Sequence, residues 1–76
     1  MTLVVAQGCH LCEVAREELE VLASALGFAV QEVDITGVHE LEDRYRVFIP
    51  VVEVDGELVS MFEVDEVKLR HKLGLS

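Results

Sequence analysis

Short apolar runs and one long helical stripe divide the chain. "TLVVA", Thr2–Ala6, is apolar and rich in β-branched residues, which predicts a buried strand. Gly8 breaks it. From about Leu11 to Leu26, Cys12, Ala15, Leu19, Leu22 and Leu26 recur at alternating steps of three and four. That spacing draws one apolar stripe on a helix, with Glu13, Arg16, Glu17 and Glu20 on its wet side. Gly27 supplies a C-terminal stop. "FAVQEVDI", Phe28–Ile35, predicts a second strand. Strand, helix and strand in this order make a βαβ unit, so the two strands should run parallel with a right-handed crossover.

Thr36-Gly37 marks a turn, and a short helix over about His39–Tyr45 follows. "VVEV", Val51–Val54, and "ELVSM", Glu57–Met61, flank Asp55-Gly56. That pair predicts a hairpin, because a type I′ turn needs positive φ at both central residues. Glu66–Leu73 reads as a last helix. Asp65 can cap it, Val64 can staple onto Leu69, and Gly74 ends it. The order is β-α-β-α-β-β-α. The fold class is α/β, with a four-stranded mixed sheet flanked by helices. At 76 residues the chain makes one domain with a small core.

Composition narrows the function. Fifteen acids against six bases give a formal charge of −9, which opposes binding to nucleic acid or anionic membrane, both polyanions. The apolar runs are too short to span a bilayer. "MTLVVAQG" lacks the basic and apolar regions of a signal peptide, so a cytoplasmic protein is expected. In a reducing compartment, a close cysteine pair points to catalysis or metal binding more than to a structural bridge.

Cys9 and Cys12, in "QGCHLCE", are the only cysteines. A structural zinc site needs about four ligands. Beyond the pair the chain offers His10, His39 and His71, without ligand-like spacing, and no second CxxC. No metal site is therefore expected. A disulfide across so small a loop restrains little of the unfolded chain. The position favours redox chemistry. Cys9 falls just before the first turn of the helix, where free N–H groups and the positive end of the dipole stabilise a thiolate, the attacking species. Cys12 falls one turn later, in phase with the buried stripe. Cys9 is thus the candidate nucleophile and Cys12 the shielded resolving thiol. Glu13 adds a like charge, and Arg16 is placed to offset it in part. His10 has two readings: a protonated imidazole tuning the Cys9 thiolate, or a plain exposed histidine. Phe28, Tyr45, Phe48 and Phe62 read as core or rim packing.

Strand, CxxC at a helix start, strand, helix and then "YRVFIPVVEVDGELV" resemble the thioredoxin fold in its minimal, glutaredoxin-like form, over nearly the whole chain. The resemblance implies that Ile49-Pro50 is a cis peptide facing the dithiol. The backbone of Ile49 would then pair with an extended peptide or thiol substrate. On base rates alone the bond would be trans, with Pro50 starting an edge strand. The implied substrate contacts are His10, Leu11, Ile49 and Pro50.

The sequence also departs from glutaredoxins. Gln7-Gly8 stand where those proteins usually carry a basic residue, and Cys-His-Leu-Cys replaces Cys-Pro-Tyr-Cys. Phe48-Ile49-Pro50 replaces Thr-Val-Pro, and Met61-Phe62-Glu63-Val64 replaces a glycine turn that holds a glutathione carboxylate. Arg44 and Arg46 are candidates to restore anion binding, or belong to a solvated helix face. The expectation is a monomeric thiol-disulfide oxidoreductase without a bound cofactor. Its partners would be a disulfide-containing protein or a low-molecular-weight thiol. Its electrons would come from glutathione or a thioredoxin-reductase-like enzyme. The alternative is a non-enzymatic adaptor, or a carrier of a metal or iron–sulfur cluster through the cysteines.

Overall fold

A computed structural model describes residues 1–74. The elements are β1 (Thr2–Val5), α1 (His10–Leu26), β2 (Gln31–Asp34), α2 (His39–Tyr45), β3 (Val51–Val54), β4 (Glu57–Met61) and α3 (Glu66–Lys72). They form one sheet in the order β2-β1-β3-β4. β1 runs parallel to β2 and antiparallel to β3, and β3 and β4 form the hairpin. Asp55 and Gly56 at its tip have φ of 51° and 79°, the left-handed pair that the turn requires.

The alternation of β1 builds the core on both faces of the sheet. Leu3 and Val5 point to one face, where Cys12, Ala15 and Leu19 of α1 and Leu69 of α3 cover them together with Val52, Val54 and Val59. Val4 points to the other face and packs with Ile35 and Val51 beneath Leu41 and Tyr45 of α2. The stripe on α1 is deepest at its N-terminal half: Cys12, Ala15 and Leu19 are buried, while Leu22 and Leu26 are half-buried.

Several boundaries differ from the sequence reading, and β1 and β2 each end one residue early, at Val5 and Asp34 rather than Ala6 and Ile35. β2 starts at Gln31, not Phe28, because its ladder partner β1 starts at Thr2, which lies opposite Gln31. Phe28 and Val30 pack against the core as a loop. α3 closes at Lys72, and Leu73 is its cap residue. The Asp65 carboxylate accepts the Lys68 N–H at 3.0 Å, satisfying one of the free donors at the helix start. Val64 packs on the same cluster as Leu69.

Leu69 is 0% exposed and Val67, two residues earlier on the same helix, is 79% exposed. Truncating Leu69 removes buried contacts and leaves a cavity; truncating Val67 removes neither. Leu69→Ala should lower the unfolding free energy by about 2–5 kcal/mol, and Val67→Ala by less than about 0.5 kcal/mol. Urea unfolding followed by circular dichroism measures both. Equal effects would mean that α3 packs on a different face.

Candidate active site

β1 delivers the chain into a tight corner. Gly8, at φ 73°, takes a left-handed conformation that turns the backbone from the strand into α1. Cys9 is the N-cap, in extended geometry at φ −98° and ψ 105°. Its Sγ accepts the Cys12 N–H at 3.2 Å, the position a serine or aspartate oxygen takes in most caps. Its carbonyl accepts the Glu13 N–H at 3.2 Å. Cys12 is 1% exposed and belongs to the core, while Cys9 is half-buried at its edge. The two form a disulfide with their Cα atoms 5.2 Å apart.

A cleft of about 230 Å³ opens beside the pair. Ala6, Gln7 and Gly8 form one wall, and Glu13, Arg16 and Asp34 supply its charges. Asp34 arrives through topology: in the parallel register it lies opposite Val5, so the ends of both strands open on the same side. The Thr36 N–H donates to Asp34 Oδ1 at 2.9 Å, and the Gln7 N–H donates to Thr36 Oγ1 at 2.8 Å. Thr36 therefore ties the loop before the dithiol to the loop after β2. The hydrogen bonds from the Thr36 backbone and hydroxyl hold the Asp34 carboxyl below the usual carboxylate range, with a smaller contribution from Arg16. Arg16 does not simply offset Glu13, as the sequence suggested. Its guanidinium donates to Glu32 Oε1 on β2, and that hydrogen bond is the main reason its pKa is raised.

His10 is 86% exposed, with Nδ1 3.8 Å from a Glu13 carboxylate oxygen. Leu11 presents an exposed apolar side chain between the cysteines. Ile49-Pro50 is a cis peptide at the same end of the sheet, where Val51 pairs with Val4, but neither residue lines the dithiol cleft. Ile49 packs against both core clusters, one of which also carries Cys9. The Pro50 ring is buried, and its carbonyl accepts the Phe62 N–H at 2.8 Å. The backbone of Ile49 is bonded to no other group among the described residues. Arg44 lies elsewhere. Its guanidinium carbon sits 5.3 Å from the centre of the Tyr45 ring, in a second groove of about 290 Å³ with Phe48, Leu58 and Met61. That groove is larger and more apolar than the dithiol cleft, but neither cysteine lines it. Arg46 caps the end of α2, on the surface.

Residues 1–74 match the family described as Glutaredoxin-like domain (DUF836). The chain belongs to this family. It is also 35% identical over 79 residues to uncharacterized protein Mb0520 of Mycobacterium bovis and to uncharacterized protein Rv0508 of Mycobacterium tuberculosis. Each alignment covers 97% of this chain and 81% of the relative. The mixed sheet with three helices is the glutaredoxin-like form of the thioredoxin fold, and the cysteine pair fits a thiol redox role.

In this glutaredoxin-like domain, the structure gathers Cys9, His10, Leu11 and Cys12 at one helix start and keeps Arg44 out of the cleft. Asp34 and Thr36 escaped the sequence reading. The signal that finds them is the parallel pairing itself, because strand ends of a parallel pair open on a common edge. Among the described residues, no group of three or more His, Cys, Asp or Glu side chains could hold a metal ion. No helix there is long and apolar enough to cross a membrane.

The burial difference between the sulfurs predicts their reactivity. After reduction, a brief exposure to iodoacetamide at neutral pH should label Cys9 first and Cys12 slowly. Peptide mass mapping distinguishes the two, and preferential labelling of Cys12 would reverse the order.

Proposed function

We propose that this glutaredoxin-like domain is a small thiol-disulfide oxidoreductase. The supporting observation is the division of labour at the start of α1: a half-exposed Cys9 that caps the helix, and a buried Cys12 one turn later. The Cys9 thiolate attacks one sulfur of a substrate disulfide. That bond breaks, one substrate thiolate leaves, and a mixed disulfide forms on Cys9. The Cys12 thiolate then attacks Cys9 Sγ, closes the internal disulfide and releases the second substrate thiol. A dithiol or thiol reductant, acting alone or through an enzyme, restores the pair. The helix N-terminus favours the Cys9 thiolate electrostatically. The unbonded backbone of Ile49 offers an edge on which an extended substrate can pair.

Glutathione is a poor partner in this reading. The domain has no basic residue before Cys9 and no glycine turn after β4, and Arg44 lines a different groove. A hydrogen bond to a charged group contributes about 1.5–3 kcal/mol, so two absent contacts weaken binding by about two orders of magnitude or more.

Two experiments test the reading. Cys12→Ser should accumulate a stable mixed disulfide on Cys9 with a small neutral disulfide such as hydroxyethyl disulfide, and Cys9→Ser should abolish exchange. Exchange that survives loss of Cys9 would refute the mechanism. Glutathione should clear the mixed disulfide from Cys12→Ser about a hundredfold more slowly than it clears one from a glutaredoxin. Comparable rates would mean that other residues hold glutathione here.

A further inference from the structure

We propose that the dithiol cleft selects disulfides carried on positively charged, extended protein segments, an inference that rests on the exchange reaction proposed above. The charges at the cleft carry the argument. Glu13 and Asp34 line it directly. Arg16, the one cation in its lining, is bonded to Glu32 outside the cleft, so its charge is already matched while Glu13 and Asp34 remain on the cleft wall. Asp34 stays ionised, since the Thr36 N–H and hydroxyl hold its carboxyl low.

The rest of the surface does not reverse this field. Of the other five cations, Arg70 pairs with Glu66 and Lys72 with Glu57, Arg44 lies over Tyr45 in the separate groove, and Arg46 and Lys68 do not line the cleft. The whole chain carries −9. The lining is mixed in sign but net acidic, and a net-negative cleft on an acidic protein raises the local concentration of cationic substrate, an effect that reaches about 10–1,000-fold where the lining is of one sign only. The backbone of Ile49 and the exposed side chain of Leu11 favour an extended, partly apolar segment over a compact ligand. Electrons follow the same path as before. Two pass from Cys9 and Cys12 to the substrate disulfide, the internal disulfide forms, and the two thiol protons end on the departing substrate cysteines.

The test uses three short peptides with the same disulfide, flanked by lysine, serine or glutamate. The fully reduced protein is mixed with each in a single turnover, and each rate is divided by the rate of the same peptide with dithiothreitol, which removes differences in intrinsic reactivity. At about 0.01 M salt, where the Debye length is about 30 Å, the lysine peptide should react at least about tenfold faster than the glutamate peptide, with serine between them. At about 1 M salt, where that length falls to about 3 Å, the three should converge. Glu13→Gln with Asp34→Asn should shrink the low-salt ratio severalfold. Equal normalised rates at low salt, or a ratio that ignores salt, would overturn the charge selection while leaving the exchange reaction standing. No reaction with any of the three peptides would instead overturn the exchange reaction itself.

Discussion

The packing of one stripe of α1 on β1 governs everything at the site. Cys12, Ala15 and Leu19 sit on Leu3, Val5 and Val52, and this contact sets both the height and the rotation of the helix. Once it is made, the residue one turn before Cys12 must emerge at the helix start. That residue is Cys9. Its sulfur then replaces the usual capping oxygen and takes the Cys12 N–H. The asymmetry of the two thiols is therefore a consequence of core packing, not a separate feature laid on the fold. A shift of α1 by a single residue would expose Cys12 and bury a neighbour in its place.

A second consequence follows from the parallel pairing of β1 and β2. Both strands end on the dithiol side, so Asp34 and the Thr36 hydroxyl are brought beside a loop that is distant in sequence. The helix start attracts negative charge, while Glu13 and Asp34 repel it. Cys9 thus sits among local backbone donors within an acidic setting. The left-handed backbone of Phe62, at φ 70°, belongs to the same edge of the molecule. A bulky side chain in that region costs on the order of 1 kcal/mol or more. The Phe62 N–H bond to the Pro50 carbonyl holds the turn in place behind the cis peptide.

Much of this was legible in the chain because the signals were local. Asp55-Gly56 announced the hairpin, and a 3–4 repeat placed Cys12 on the buried face of its helix. The βαβ order required a parallel pair, and the CxxC position marked the helix start. What escaped was long-range. The partnership of Arg16 with Glu32 joins residues sixteen apart, and nothing in the spacing of either one announces it. The late start of β2 depends on where β1 begins, not on the apolar content of Phe28–Val30. Phe62 has no local signature for a left-handed turn, a conformation that favours glycine. The placement of Arg44 over Tyr45 is set by how α2 lies on the sheet.

In the proposed function, Cys9 and Cys12 form a reversible reactive pair on a fold that stands without their bond. The core supports that independence: apart from Cys12, every member of its buried clusters is an ordinary aliphatic side chain. The most direct measurement is an equilibrium titration against mixtures of reduced and oxidised dithiothreitol, read by intact mass and far-ultraviolet circular dichroism. One reversible two-electron transition within a monomer is expected, with an unchanged dichroism spectrum across it. Loss of secondary structure on reduction, or oxidation only into cross-linked chains, would contradict it.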